Sequence, residues 1–202
     1  MNKNTNQNDR RGFLSKMLVA GASGVALLSS SAFAKGGGGG RNSSTATLTE
    51  DQRERLFFIY QEEKVARDVY IHLGNEYPEE STFASIQLAE QRHMDSAQAL
   101  CEKYDIDISM VDESESEYGH FYVDYLQNLY IQCLELSGDT LEEALAVGVL
   151  VEETDIGTLT DTIDPEIQEV GEMPADVIST YETLREGSYN HLESFNARLE
   201  RI

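Results

Sequence analysis

The chain has 202 residues, 40% of them hydrophobic, no tryptophan and a formal net charge of −22. Such acidity repels phosphate backbones and anionic headgroups, which excludes nucleic acid as a partner and suits cations. The length leaves room for one domain once the N-terminus is set aside. A domain of about 150 residues buries roughly 70% of its unfolded surface and needs no metal or disulfide merely to fold.

Residues 1–34 read as a signal peptide. A polar, basic start runs to Arg11, an apolar stretch follows from Met17 to Leu28, and Ala32-Phe33-Ala34 supplies a small-x-small site with cleavage before Lys35. The apolar stretch is too short to span a bilayer comfortably. Arg10-Arg11-Gly12-Phe13-Leu14 resembles the twin-arginine export signal, with Arg10 and Arg11 as the signal residues. That resemblance implies a bacterial origin, passage in the folded state with a cofactor often already bound, and a periplasmic or extracellular destination. Residues 35–47, with five consecutive glycines, form a flexible linker, and residues 48–202 form the domain.

In the domain, Thr49 and Gln52 predict a capping box opening a first helix. It runs to about Leu73, with Gly74 as its stop. Its inward stripe is Leu56, Ile59, Glu63, Ala66, Tyr70 and Leu73, in steps of three and four. A second helix runs from Ser81 or Thr82 to about Tyr104, with the stripe Phe83, Ile86, Glu90, His93, Ala97, Leu100 and Tyr104. Residues 105–118 are acidic and irregular, and a shorter helix follows over about 120–136, ended by Gly138. Thr140 and Glu143 cap a third long helix with the stripe Leu141, Leu145, Gly148, Glu152, Asp155 and Leu159. Asp164-Pro165 predicts a short turn of helix. The last helix runs from about Pro174 to the C-terminus with the stripe Val177, Tyr181, Leu184, Ser188, His191, Phe195 and Leu199. No convincing strand pattern appears. The expectation is all-α: a ferritin-like four-helix bundle whose long connection between the second and third long helices carries an extra helix.

Each stripe is interrupted near its middle by polar residues: Glu63, then Glu90 with His93, Glu152 with Asp155, and Ser188 with His191. Burying bare carboxylates costs several kcal/mol each, roughly, unless a cation sits among them. Glu and His three residues apart share a helix face and can address one metal. Carboxylate oxygen and imidazole nitrogen suit iron, manganese or zinc. Sequence periodicity leaves Glu152 and Glu153 as alternatives, and assigns Glu62 to the surface. Against this stands a plain reading of Glu63 as half of an ion pair with Arg67. His72 and His120 lack carboxylate-bearing partners of this kind and read as incidental. Tyr70 and Tyr181 face the core near the site, where they pack or touch a ligand. Cys101 and Cys133 are the only cysteines; they pair in an oxidising compartment or, the favoured reading, remain small buried residues.

Glu62-Glu-Lys-Val-Ala-Arg-Asp-Val-Tyr70, Ala89-Glu-Gln-Arg-His-Met94 and Gly187-Ser-Tyr-Asn-His-Leu192 resemble the ferritin-like family called domain of unknown function 2202. The ligand segments of rubrerythrin and demethoxyubiquinone hydroxylase are similar more distantly. The resemblance spans about residues 50–200 and implies metal ligands at Glu63, Glu90, His93, Glu152 and His191. A full di-iron site would carry a sixth, carboxylate ligand where this chain has Ser188. One tightly held ion is therefore expected, with a second position weak, empty or completed by Asp155. The implied activity is that of a mono- or di-metal oxidoreductase acting with oxygen or peroxide; a metal store without turnover, or a bundle with a relic site, is the alternative. Expected partners are metal ions, the twin-arginine machinery and a second copy of the chain in a homodimer, with no ferritin-like shell.

Overall fold

The computed structural model describes residues 47–164, 166–167 and 169–202. The Arg10-Arg11 signal, the cleavage site, the glycine run and Pro165 lie outside the described residues. Residues 48–202 form one compact unit. It is built of α1 (Glu50–Glu76), α2 (Ser81–Lys103), α3 (Asp124–Ser137), α4 (Leu141–Ile163) and α5 (Ala175–Leu199), with a 3₁₀ turn at Glu115–Glu117. No strand occurs among the described residues, and none of the described helices is long and apolar enough to cross a membrane.

Local chemistry explains most of the boundaries. Thr49 Oγ1 accepts from Gln52 N at 3.2 Å and Gln52 Oε1 accepts from Thr49 N at 2.9 Å, the full capping box. Gly74 does not stop α1, which continues to Glu76. A methyl group at Gly74 would sit in ordinary contact with Phe83 Cβ at 3.5 Å, so neither its conformation nor its surroundings require glycine. α2 starts at Ser81 as the pattern indicates, capped by Glu80, which accepts from Thr82 N at 3.0 Å. α3 begins about four residues later than the pattern indicates because residues 119–122 are spoken for. Gly119 N donates to Asp68 and Tyr122 N donates to Gln61, both on α1. The expected helical turn after Asp164 is a single hydrogen-bonded turn among the described residues, with Glu166 N donating to Asp164 Oδ1 and Ile167 N to the Asp164 carbonyl.

Side-chain bonds at the helix ends fix the topology. Arg55, near the start of α1, reaches Thr162 at the end of α4, while Tyr70, towards the other end of α1, meets Gly148 near the start of α4. Lys103 at the end of α2 pairs with Asp176 at the start of α5, and Arg198 at the end of α5 binds Glu80 at the start of α2. Both pairs are therefore antiparallel. α2 ends where α5 begins, and α4 begins at the opposite end of the bundle. The connection between α2 and α4 must travel its length, giving the single long crossover. That crossover lies along α1, so residues 61–70 of α1 are all buried.

The core has two apolar clusters. One gathers Leu56, Ile59, Met94, Leu159 and Tyr181; the other gathers Val69, Phe83, Leu145 and Phe195. In each long helix the residues of one cluster are separated from those of the other by the polar positions of the stripe. Cys101 belongs to the first cluster and Cys133 to the second. Both are free thiols, pushed up to about 12 by burial, as the packing reading of the cysteines expects.

Candidate metal centre

Between the two apolar clusters lies a layer of carboxylates and imidazoles. Glu90 is at its centre. Its Oε2 is 2.9 Å from His93 Nδ1, one turn further along α2, and its Oε1 is 2.7 Å from His191 Nδ1 on α5. Glu63 from α1 approaches His93 Nδ1 at 3.3 Å, and Glu152 from α4 approaches His191 Nδ1 at 3.5 Å. The two rings stack with centroids 5.3 Å apart. One ligand atom each of Glu90, His93 and His191 lies within 4.8 Å of the others. All five residues implied as ligands by the resemblance are thus brought together.

These atoms face one another without bonding well. Both oxygens of Glu63, Oε1 of Glu90 and Nδ1 of both rings are buried and make no properly directed hydrogen bond. A layer of buried polar atoms aimed at a shared point is costly unless something occupies that point. Oxygen and imidazole donors fit a divalent iron, manganese or zinc ion. Protons balance part of the charge of this layer. Burial works to raise Glu90, but the close ion pairs with His191 and His93 overcome it and lower the carboxyl to about 2. Burial pushes Glu63 up to about 8 and, with the charge of Glu90, does the same to Glu152. Burial would lower the histidines, but their carboxylate neighbours raise His93 to about 11 and His191 to about 9.

Neighbouring residues orient this layer. Tyr70, fully buried, donates to Glu152 Oε1 at 2.6 Å. Ser188 donates to Asp155 Oδ2 at 2.5 Å, and Asp155 is buried in the layer. Tyr181 is fully buried in the first apolar cluster, with no hydrogen bond at its hydroxyl. Glu152 is 1% exposed whereas Glu153 is exposed, which resolves that pair. Arg67 bonds to Asp68 and Gln91, leaving Glu63 to the centre. His72 and His120 lie away from it, paired with Glu76 and Glu117 at the surface.

One assignment is corrected. Glu62, expected at the surface, is 4% exposed and its Oε1 accepts from Thr158 on α4 at 3.0 Å. Glu62 flanks the stripe on the side that packs on α4, and the crossover covers the outer side at Gln61, Lys64 and Asp68, so α1 has no solvent face at this level. Burial and the charge of Asp155 push Glu62 well above the usual carboxylate range, and burial and the charge of Glu63 do the same to Asp155.

Two glycines escaped the sequence reading as shapers of the layer. A Cβ at Gly187 would lie 2.5 Å from His93 Nε2, and one at Gly148 would lie 2.5 Å from Phe195 Cε1. Both stand inside helices, where glycine costs about 1 kcal/mol relative to alanine; that cost is the signal that marks them. Gly187 also places His93 at the α2–α5 seam. There the imidazole side chains are 13% and 11% exposed, against 1–2% for Glu63, Glu90 and Glu152.

Residues 52–202 match the family described as an uncharacterized protein domain, DUF2202. The uncharacterized protein MJ0754 of Methanocaldococcus jannaschii is 34% identical over 147 residues, covering 73% of this chain and 74% of the relative. The crystal structure of the hypothetical protein MJ0754 from the same archaeon superposes with a TM-score of 0.70 at 31% identity, covering 80% of this chain and 86% of the other. The chain therefore belongs to the DUF2202 family.

Proposed function

We propose that this chain is a ferritin-like metal-binding protein, exported by the twin-arginine route, whose Glu63, Glu90, His93, Glu152 and His191 hold a divalent ion for redox chemistry. One observation carries the reading: Glu90 lies between two imidazoles with buried acceptor and Nδ1 atoms left without hydrogen bonds. Bound iron or manganese supplies electron transfer to oxygen or peroxide; zinc does not. The protein's residues bind, orient and seal. Glu90 addresses both histidines, Tyr70 fixes Glu152, and the near-complete burial of the carboxylates excludes bulk water. A second reading, metal holding without turnover, is favoured by Ser188, a neutral residue committed to Asp155.

Metal analysis of the full chain recovered from its export route tests the site. Glu90→Ala should lose the ion by at least about 100-fold in affinity, as befits a ligand rather than a supporting residue. The exposed control Glu153→Ala should keep it. Equal metal content in both variants and the parent refutes the assignment. Oxygen or peroxide consumption by the iron(II)-loaded parent, faster than by free iron(II), separates the redox reading from the holding one. Export is tested by changing Arg10 and Arg11 to Lys: the precursor should stay in the cytoplasm, and normal export would rule out the twin-arginine route.

A further inference from the structure

Of the residues gathered at the centre, solvent reaches the imidazoles. The side chains of Glu63, Glu90 and Glu152 are 1–2% exposed, those of His93 and His191 13% and 11%. Nδ1 of each ring is buried and turned to Glu90, so the edge that solvent meets is the opposite one. The walls of the seam explain the opening. α2 and α5 run antiparallel, tied by Lys103 to Asp176 and by Arg198 to Glu80. That register sets Ala89 and Ser96 of α2 opposite Asn190 and Thr183 of α5, with Gly187 against the His93 ring. None of these side chains is long enough to roof the rings.

A gap this narrow stops an ion, but an electron needs no gap. It passes through the π system of a ligand whose far edge lies at the surface. The charges around that edge say what can meet it. Glu182, Glu186 and Glu193 are exposed, in steps of four and seven along the side of α5 that borders the seam. Across the seam stand Arg92, which donates to the Leu88 carbonyl, and the exposed apolar side chain of Leu88 itself. Three carboxylates against one guanidinium, on a chain of net charge −22, repel a second copy and attract a basic surface. Electron carriers dock through small, charge-steered contacts of this kind.

We propose that a basic one-electron carrier protein docks on the α2–α5 face, and that the outer edges of His93 and His191 pass an electron between it and the ion at the centre. This rests on the redox reading above and names its partner. With iron, one electron leaves iron(II), which becomes iron(III), and reduces the oxidised group of the carrier by one; no bond forms or breaks.

Ferricytochrome c, a basic haem protein, is the probe. Calorimetry at low salt measures its binding to the metal-free chain in the parent and in two triple variants whose helices are checked by circular dichroism. One is Glu182→Lys, Glu186→Lys and Glu193→Lys; the other makes the same change of charge at the exposed Glu135, Glu142 and Glu166, away from the seam. The seam triple should weaken binding at least about tenfold and the control less than about threefold. Equal weakening in both, or none in either, would overturn the docking face. The second readout is haem absorbance without oxygen. The iron(II)-loaded parent should reduce one equivalent per bound ion, and the seam triple, at equal iron content, about tenfold more slowly. Docking at the seam with no reduction would overturn the electron path and leave the metal site standing. A parent that binds no iron(II) would sink the redox reading itself, whatever the probe does.

Discussion

Two groups of buried charges sit next to each other on α1, and they are opposites. Lys64, Arg67 and Asp68 form a closed network. Asp68 Oδ2 accepts from Lys64 Nζ at 2.6 Å and from Gly119 N at 3.0 Å, while its Oδ1 accepts from Arg67 Nη2 at 2.8 Å. Lys64 also donates to the Glu117 carbonyl and lies over the Phe121 ring. Arg67 donates to Gln91 and lies over Tyr118. Glu62 and Glu63, the residues just before, have buried oxygens with no hydrogen bond. Burial of charge is common to both, so burial alone is no mark of function. The first group is satisfied within the protein and straps the crossover to α1. The second has buried oxygens that no group of the protein satisfies, the feature on which the metal-binding proposal rests.

The comparison can be broken by removing one member from each group. Asp68→Ala takes from buried Lys64 its carboxylate and leaves Arg67 only the longer contact with Glu113, and should cost about 3–5 kcal/mol in urea unfolding, while the folded fraction keeps its metal stoichiometry. Loss of metal without loss of stability would mean that the two groups are not separate. A smaller effect comes from pH. In the metal-free protein Glu63 and Glu152 are raised to about 8, and His93 and His191 to about 11 and about 9. The native state therefore binds more protons than the unfolded chain across this range, and stability falls as pH rises. The histidine contribution is full below about 6.5 and lost through the folded values; the raised carboxyls destabilise increasingly above about 4.5. Between about pH 5 and about pH 9 stability should fall, and metal should reverse the loss, because binding needs the deprotonated ligands. A metal-free protein whose melting temperature rises over that range contradicts the account. Glu90 runs the other way: its stabilisation, present above about 4.5, disappears only as pH falls towards about 2. The smallest effect is at Gly187. Alanine there should push the His93 ring aside and weaken metal binding about tenfold, with helical content unchanged. An unaltered affinity would show that the ring has room to move.

The four inward stripes were legible because α-helical periodicity alone sets them, and the ligand candidates lie in the middle of each. The outer side of α1 was not. Periodicity assigns every helix a solvent face, and at Gln61, Lys64 and Asp68 that face is occupied by residues 117–122 from far along the chain, while Glu62 packs against Thr158 of α4. Gly74 failed as a stop because it keeps helical conformation: α1 runs on to Glu76, where Tyr77 N donates to the Leu73 carbonyl. Gly187 stood in the very segment that carries His191, but its partner is a ring on α2, which no local pattern reveals.

The unequal cover of the centre has a kinetic meaning. With its carboxylates sealed and its imidazoles barely open at the α2–α5 seam, the centre would leave an ion held there no ready exit. The residence time of such an ion would be set by how often the helices part, a motion of local unfolding rather than of surface exchange. Ligands of this kind cannot select manganese or iron over copper or zinc by affinity alone. With exchange this slow, the ion carried would be the one most available when the bundle closed.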